Sequence, residues 1–307
     1  MRQLRRGFFY VRRNSPILRI AIVGTLLTVA GACDKLGLGS NSPAAPSAPT
    51  PGTTLVYTAL GASDAAGVGS SALCVFFTDC PDGMGYVPVA VRRLRAQGFV
   101  VNHLNLGLPT AVIGRDFQTL GQQYNRFIAG NFIELEVPLV QQTATVVTVF
   151  AGLNEVNTIT AALGAGAGGT DPNAFIDAQV RAFGTDYATL ISGIAVRAGR
   201  PRIVVLNVPN PAGMPYLAGA SLAQRQAAQR AAVGMTKTVV NPLSSQTTFI
   251  VDLMCDARSY AAATYSSDGL HPNDNGYAFI ASEVVRAITS STFPAPQNSC
   301  GQMTLVP

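Results

Sequence analysis

Ser63, Asp268 and His271 are the residues of this chain whose types and spacing could do acyl chemistry together. A serine hydroxyl is a poor nucleophile until a base within hydrogen-bond reach takes its proton. Imidazole suits that task near neutral pH. A carboxylate three residues before the histidine, with Gly269 permitting a tight bend, can reach the other ring nitrogen and fix its tautomer. With Ser63 as nucleophile this makes a Ser–His–Asp triad. Ser63 lies in Gly61-Ala62-Ser63-Asp64, a stretch with little side-chain bulk that follows an apolar run. Taken alone, that stretch also reads as an ordinary turn in which Ser63 or Asp64 caps a helix. The chain holds only two histidines. His103 falls within a strand-like pattern and reads as structural, whereas Asp268, Gly269 and Pro272 flank His271 in a loop.

The elements that must position these residues alternate. Apolar, β-branched runs at 55–60, 99–106, 145–151, 202–208 and 248–253 read as strands. Helical spacing is found at 86–97, 118–129, 173–198, 222–240 and 275–288. This order predicts an α/β fold: a three-layer α/β/α sandwich around a mainly parallel sheet of about five strands. In such sheets function gathers beyond the carboxyl ends of the strands. Ser63 follows the first strand, and Asn105-Leu106-Gly107-Leu108-Pro109-Thr110 the second. Gly152-Leu153-Asn154-Glu155 follows the third, and the Asp268–His271 loop follows the fifth.

In this order and placement the segments resemble the blocks of the GDSL, or SGNH, hydrolase family, across roughly residues 54–290. The Gly-Asp-Ser-Leu block reads Gly61-Ala62-Ser63-Asp64 here, Gly-x-Asn-Asp reads Gly152-Leu153-Asn154-Glu155, and Asp-x-x-His is present as Asp268 and His271. The resemblance implies a flavodoxin-like sheet and a serine esterase or lipase that forms an acyl-enzyme, with no metal or organic cofactor. It implies an oxyanion hole from the Ser63 N–H, the Asn154 amide and the second-block backbone N–H. Alignment on Asn105 puts that last donor at Thr110, with Gly107 the weaker choice. The implied partner is an ester: a lipid, an acylated glycan or a small diffusing ester. A carbohydrate O-deacetylase or acyltransferase would use the same residues, and a non-catalytic binding module would keep only the fold. Met214, Tyr216 and Leu217 could line an acyl pocket or pack under their loop. The Gly-rich run 163–169 could form a rim over the site or a plain surface loop.

Composition bounds the rest. The formal charge is +5, but six of the 21 Lys and Arg lie in the first 32 residues, where there is no acid. The remaining 15 face 16 Asp and Glu, a charge near −1 that gives no support for a nucleic-acid surface. Those arginines precede a short apolar run, 20–32, and then Cys33. Residues 1–32 therefore read as an export signal. Val29-Ala30-Gly31-Ala32-Cys33 resembles a bacterial lipobox, which implies a lipidated Cys33; cleavage after Ala32 without lipid, or an uncleaved anchor, are the alternatives. Residues 33–53, rich in Pro, Ser, Ala and Gly, read as a tether, leaving 54–307 as the hydrolase domain. The expected location is the bacterial cell envelope, lipid-anchored to a membrane, with the domain periplasmic or extracellular. Four further cysteines, Cys74, Cys80, Cys255 and Cys300, suit disulfides in an exported protein. They allow three pairings, of which locality favours Cys74–Cys80 and Cys255–Cys300. A zinc cluster is a poor alternative, with no C-x-x-C and so few histidines.

Overall fold

Each of the five apolar runs forms a strand: β1 (Thr54–Gly61), β2 (Val100–Asn105), β3 (Val146–Phe150), β4 (Arg202–Leu206) and β5 (Thr248–Val251). The structure, a computed structural model, describes residues 47–75 and 77–307. The export signal, Cys33 and most of the tether lie outside these residues. All neighbouring strands pair in parallel, in the order β2-β1-β3-β4-β5. Every residue of β3, β4 and β5 is buried, as expected for strands covered on both faces.

The helices are α1 (Ser63–Ala66), α2 (Tyr86–Ala96), α3 (Arg115–Gln123), α4 (Phe132–Leu135), α5 (Leu153–Gly164), α6 (Pro172–Ala198), α7 (Leu222–Met235) and α8 (Asp274–Thr289). From β1 the chain moves one way across the sheet to β2, then back past β1 to β3, β4 and β5. Right-handed crossovers put the helices of those two directions on opposite faces. One layer thus holds α2, against which α8 packs; the other holds α5, α6 and α7 in mutual contact. The expected three-layer α/β/α sandwich is present. The sheet order reverses between β1 and β3, and ligands of such sheets bind in the crevice at that point.

Two elements differ from the expectation. The helix expected at 118–129 runs instead from Arg115 to Gln123. It stops because Asn125 takes the left-handed conformation (φ +57°), a role asparagine fills at helix ends. The Asn125 N–H donates to the Gln122 carbonyl and the Arg126 N–H to the Gly121 carbonyl, a Schellman turn. The second difference is α5. Its first turn is the Gly152–Glu155 segment, placed above only as following the third strand. Its Asn- and Thr-rich face carries little of the apolar periodicity that marks a surface helix, because much of it is buried.

Both disulfides favoured by locality are formed, Cys74–Cys80 and Cys255–Cys300, each with a Cα–Cα distance of 5.8 Å. The first closes a loop of sequence separation 6, the second one of 45. Chain entropy makes the longer cross-link worth ~4 kcal/mol and the shorter ~2 kcal/mol. Cys255→Ala/Cys300→Ala should therefore lower the denaturant midpoint more than Cys74→Ala/Cys80→Ala. Equal losses would contradict the loop-length account.

Candidate active site

β1 ends in Gly61, opposite Phe150 of β3 in the register. Two residues later Ser63 opens α1, so its N–H belongs to the first turn and has no partner within the helix. Buried Glu136 fixes this corner from beneath: its Oε2 accepts the Gly61 N–H at 2.9 Å. Burial pushes the Glu136 carboxyl well above the usual carboxylate range, against the pull of that hydrogen bond.

The other half of the site hangs between β5 and α8. Asp268 accepts from the His271 N–H at 2.9 Å, the Leu270 N–H at 2.8 Å and Ser266 Oγ at 2.9 Å, all on Oδ1. Gly269 makes the bend with φ +69°, and a Cβ there would come within 2.7 Å of the Tyr216 nitrogen. Asp268 Oδ2 then lies 2.6 Å from His271 Nδ1, and His271 Nε2 lies 2.9 Å from Ser63 Oγ. The structure thus brings Ser63, His271 and Asp268 into one hydrogen-bonded chain. Partial burial of Asp268 pulls its pKa upward, but hydrogen bonds from the His271 ring and N–H, the Leu270 N–H and Ser266 outweigh it and hold the carboxyl at about 2. It is therefore ionised wherever His271 could act as a base.

The two halves are also clamped to each other. Tyr277 and Asp274, on the first turns of α8, hold the loop after α1: Tyr277 Oη donates to the Val68 carbonyl at 2.6 Å, and Asp274 accepts from the Ser71 N–H and Oγ at 2.7 and 2.6 Å. Gly69 (φ +91°) lies against His271 so closely that a Cβ would stand 2.8 Å from the His271 Cβ.

The third strand supplies Asn154. Glu155 is the third residue of α5, and its carboxylate reaches back to the Gly152 N–H as in a capping box. It also accepts the Ile113 N–H at 2.5 Å, while Asn154 Nδ2 donates to the Ala111 carbonyl at 2.9 Å. These bonds tie the start of α5 to segment 111–113. They leave Asn154 with its second amide hydrogen, in a pocket shared with Ser63, His271, Ala111 and Leu153. The pocket is small, about 10 Å³, room for about one water molecule.

Thr110 directly precedes the pocket residue Ala111. It takes φ +69°, its Oγ1 accepts the Ala129 N–H at 3.1 Å, and its own N–H has no acceptor among the described residues. Gly107 is different. Its N–H donates to Asn105 Oδ1 at 3.0 Å and its α-carbon packs on the backbone of Ala65 and Ala66. That N–H is occupied by Asn105, and the position is tightly packed. His103 stands on β2, 3.8 Å from Asp79, apart from the cluster. Met214 and Leu217 are buried and Tyr216 is exposed. Among the described residues no group of three or more His, Cys, Asp or Glu is arranged to hold a metal.

The supporting residues Glu136, Tyr277 and Asp274 were not found from the sequence. Glu155 had a readable signal, an acid three residues after a post-strand Gly, which is the capping-box spacing.

By fold the protein is a three-layer α/β/α sandwich on a five-stranded parallel sheet. Residues 59–279 match the model of the GDSL-like Lipase/Acylhydrolase family, and the chain belongs to that family. Among solved structures it is similar to the lipase Lip_vut3 from a goat rumen metagenome, with TM-score 0.53 and 16% identity over 77% of this chain and 98% of that one. It is also similar to an extracellular lipase from Streptomyces rimosus, with TM-score 0.51 and 17% identity over 78% and 100%. These likenesses share the fold. No curated protein matches the sequence.

The buried acids make stability depend on pH. Burial pushes Glu155 up to about 7 and Asp186 up to about 6. A carboxyl raised in the folded state favours folding below its unfolded pKa, and that contribution is lost as pH rises through the folded value. The urea midpoint should therefore fall between about pH 4.5 and pH 7, and Glu155→Gln should flatten that fall. Asp268, held low, acts with the opposite sign between its ordinary 3.8 and about 2. An unchanged slope in Glu155→Gln would show that Glu155 is not the titrating group.

Proposed function

We propose that this protein is a serine esterase that hydrolyses carboxylic esters through an acyl-enzyme. The observation that carries the reading is the Ser63 Oγ–His271 Nε2–Asp268 Oδ2 chain, with contacts of 2.9 and 2.6 Å. His271 Nε2 takes the Ser63 proton as Oγ attacks the acyl carbonyl, and Asp268 holds the imidazolium. The oxyanion meets the Ser63 N–H, the Thr110 N–H and the free Asn154 amide hydrogen. Collapse expels the alcohol, which takes the proton from His271. Water then attacks the acyl-enzyme, passing its proton to His271, and the carboxylic acid leaves as Ser63 recovers its hydrogen.

The pocket of about 10 Å³ beside Ser63 favours a short acyl group such as acetyl over a long chain, and so favours O-deacetylation within this reading. Cys33, by its lipobox-like setting, would anchor the domain to a membrane of the bacterial envelope. No helix among the described residues is long and apolar enough to cross a membrane.

On p-nitrophenyl esters from acetate to palmitate, turnover should be highest for acetate and vanish in Ser63→Ala. Asn154→Ala should lower kcat by ~10²–10³-fold. Labelling of Ser63 by a phosphonate probe provides an independent check. Full activity in Ser63→Ala would remove the mechanism, and a palmitate optimum would remove the short-acyl assignment.

A further inference from the structure

Beside the site lies a much larger groove, about 1270 Å³, between α5, the Gly-rich run after it, and α7. Two of its walls are linked to elements that carry the cluster. On α5, Asn157 lines the groove one turn beyond Asn154, a spacing that puts both on one helix face. On the opposite wall stands Tyr216, whose N–H donates at 3.0 Å to the carbonyl of Gly269, between Asp268 and His271.

Two arginines line this groove, and they differ. Arg230 is held by both oxygens of Asp177, at 2.9 and 2.7 Å. Arg126 has no carboxylate partner among the described residues, and its Nε is buried without an acceptor. Its backbone is held by the Schellman turn that ends α3. Burial lowers its pKa, while the neighbouring Tyr216 and Glu155 act the other way. Glu155 acts on it from nearby but makes no ion pair with it, its carboxyl being engaged with backbone N–H groups. Asn157, only 6% exposed, has a side-chain amide with no hydrogen bond among the described residues. A half-buried cation and an amide, neither engaged by another side chain and both lining one groove, are free to meet a ligand there.

We propose that the groove binds the alcohol part of the ester substrate, and that this part carries an oxyanion (carboxylate, sulfate or phosphate) that pairs with the Arg126 guanidinium next to the Asn157 amide. The assignment rests on the ester-hydrolase reading. On that reading the small pocket at Ser63 takes the acyl group, so the larger groove takes the other side of the ester. Arg126 is then a specificity residue, remote from the reacting atoms.

The test uses the full chain and matched acetyl esters that differ in charge: acetylated methyl glucuronide against acetylated methyl glucoside, and acetylglycerol phosphate against acetylglycerol. The wild type should show a KM about ten- to a hundredfold lower for the charged member of at least one pair. Which pair shows it separates a carboxylate from a phosphate source. Arg126→Gln should bring that ratio to about one without changing kcat on the neutral member, and Arg126→Lys should keep part of it. Equal KM values in the wild type, or an unchanged ratio in Arg126→Gln, would overturn the proposal. Calorimetric binding of the same esters to Ser63→Ala provides a readout that needs no turnover. Salt-sensitive binding of a charged ester that Arg126→Gln abolishes supports the groove even if no ester is hydrolysed. No preference for the charged member in that assay overturns it, whatever the fate of the esterase reading.

Discussion

β1 and β3 pair in parallel with Gly61 opposite Phe150, and that register decides which residues can meet. The chain leaves both strands at the same height, where the sheet order reverses. Ser63 and Asn154 therefore stand on either side of one crevice without any loop having to search for it. His271 arrives from 208 residues away because β5 ends at the same edge and α8 returns across the face that carries α2. Backbone hydrogen bonds thus set the coarse geometry, and side chains make only the last adjustment. This is why the loop holding His271 can be mostly irregular and still bring its ring to Ser63.

That last adjustment relies on buried acids used as hydrogen-bond acceptors. Glu136 takes the N–H at the end of β1, and Glu155 takes N–H groups from α5 and from segment 111–113. Each reaches a strand end or helix start that would otherwise leave a buried donor unpaired. Both are raised in pKa by the burial that makes them useful. In the family pattern an Asp stands where Glu155 does. The extra methylene of Glu suits a side chain that must bend back to its own helix start and also reach Ile113.

Much of this was legible in the sequence, and the reasons can be stated. The five strands were readable because fully buried parallel strands are short, β-branched and unbroken, and the structure moves their ends by only one or two residues. Asp268 and His271 were readable because the hydrogen bond between them is local. Gly107, the weaker choice for the oxyanion hole, has its N–H on Asn105 and the backbone of α1 pressed against it, contacts that no sequence pattern shows. The end of α3 was missed because Asn125 is a weaker stop signal than glycine. Glu136 and Tyr277 were illegible, since each acts on a residue that is near in space and distant in sequence.

The segment 300–307 has a bearing on how one wall of the groove is held. Its Val306 and Pro307 carbonyls accept from Gln229 and Gln226 of α7 at 2.8 and 2.7 Å, and Met303 and Pro307 form part of the groove wall. Cys300 ties this segment to Cys255 just beyond β5. Where thiols are kept reduced, the segment is held by hydrogen bonds and packing alone, while the strands and the Ser63–His271 contact do not depend on it. The Cys255–Cys300 bond thus fastens one wall of the groove to the edge of the sheet, and reducing it would leave that wall held by its α7 hydrogen bonds and the packing of Met303 and Val306.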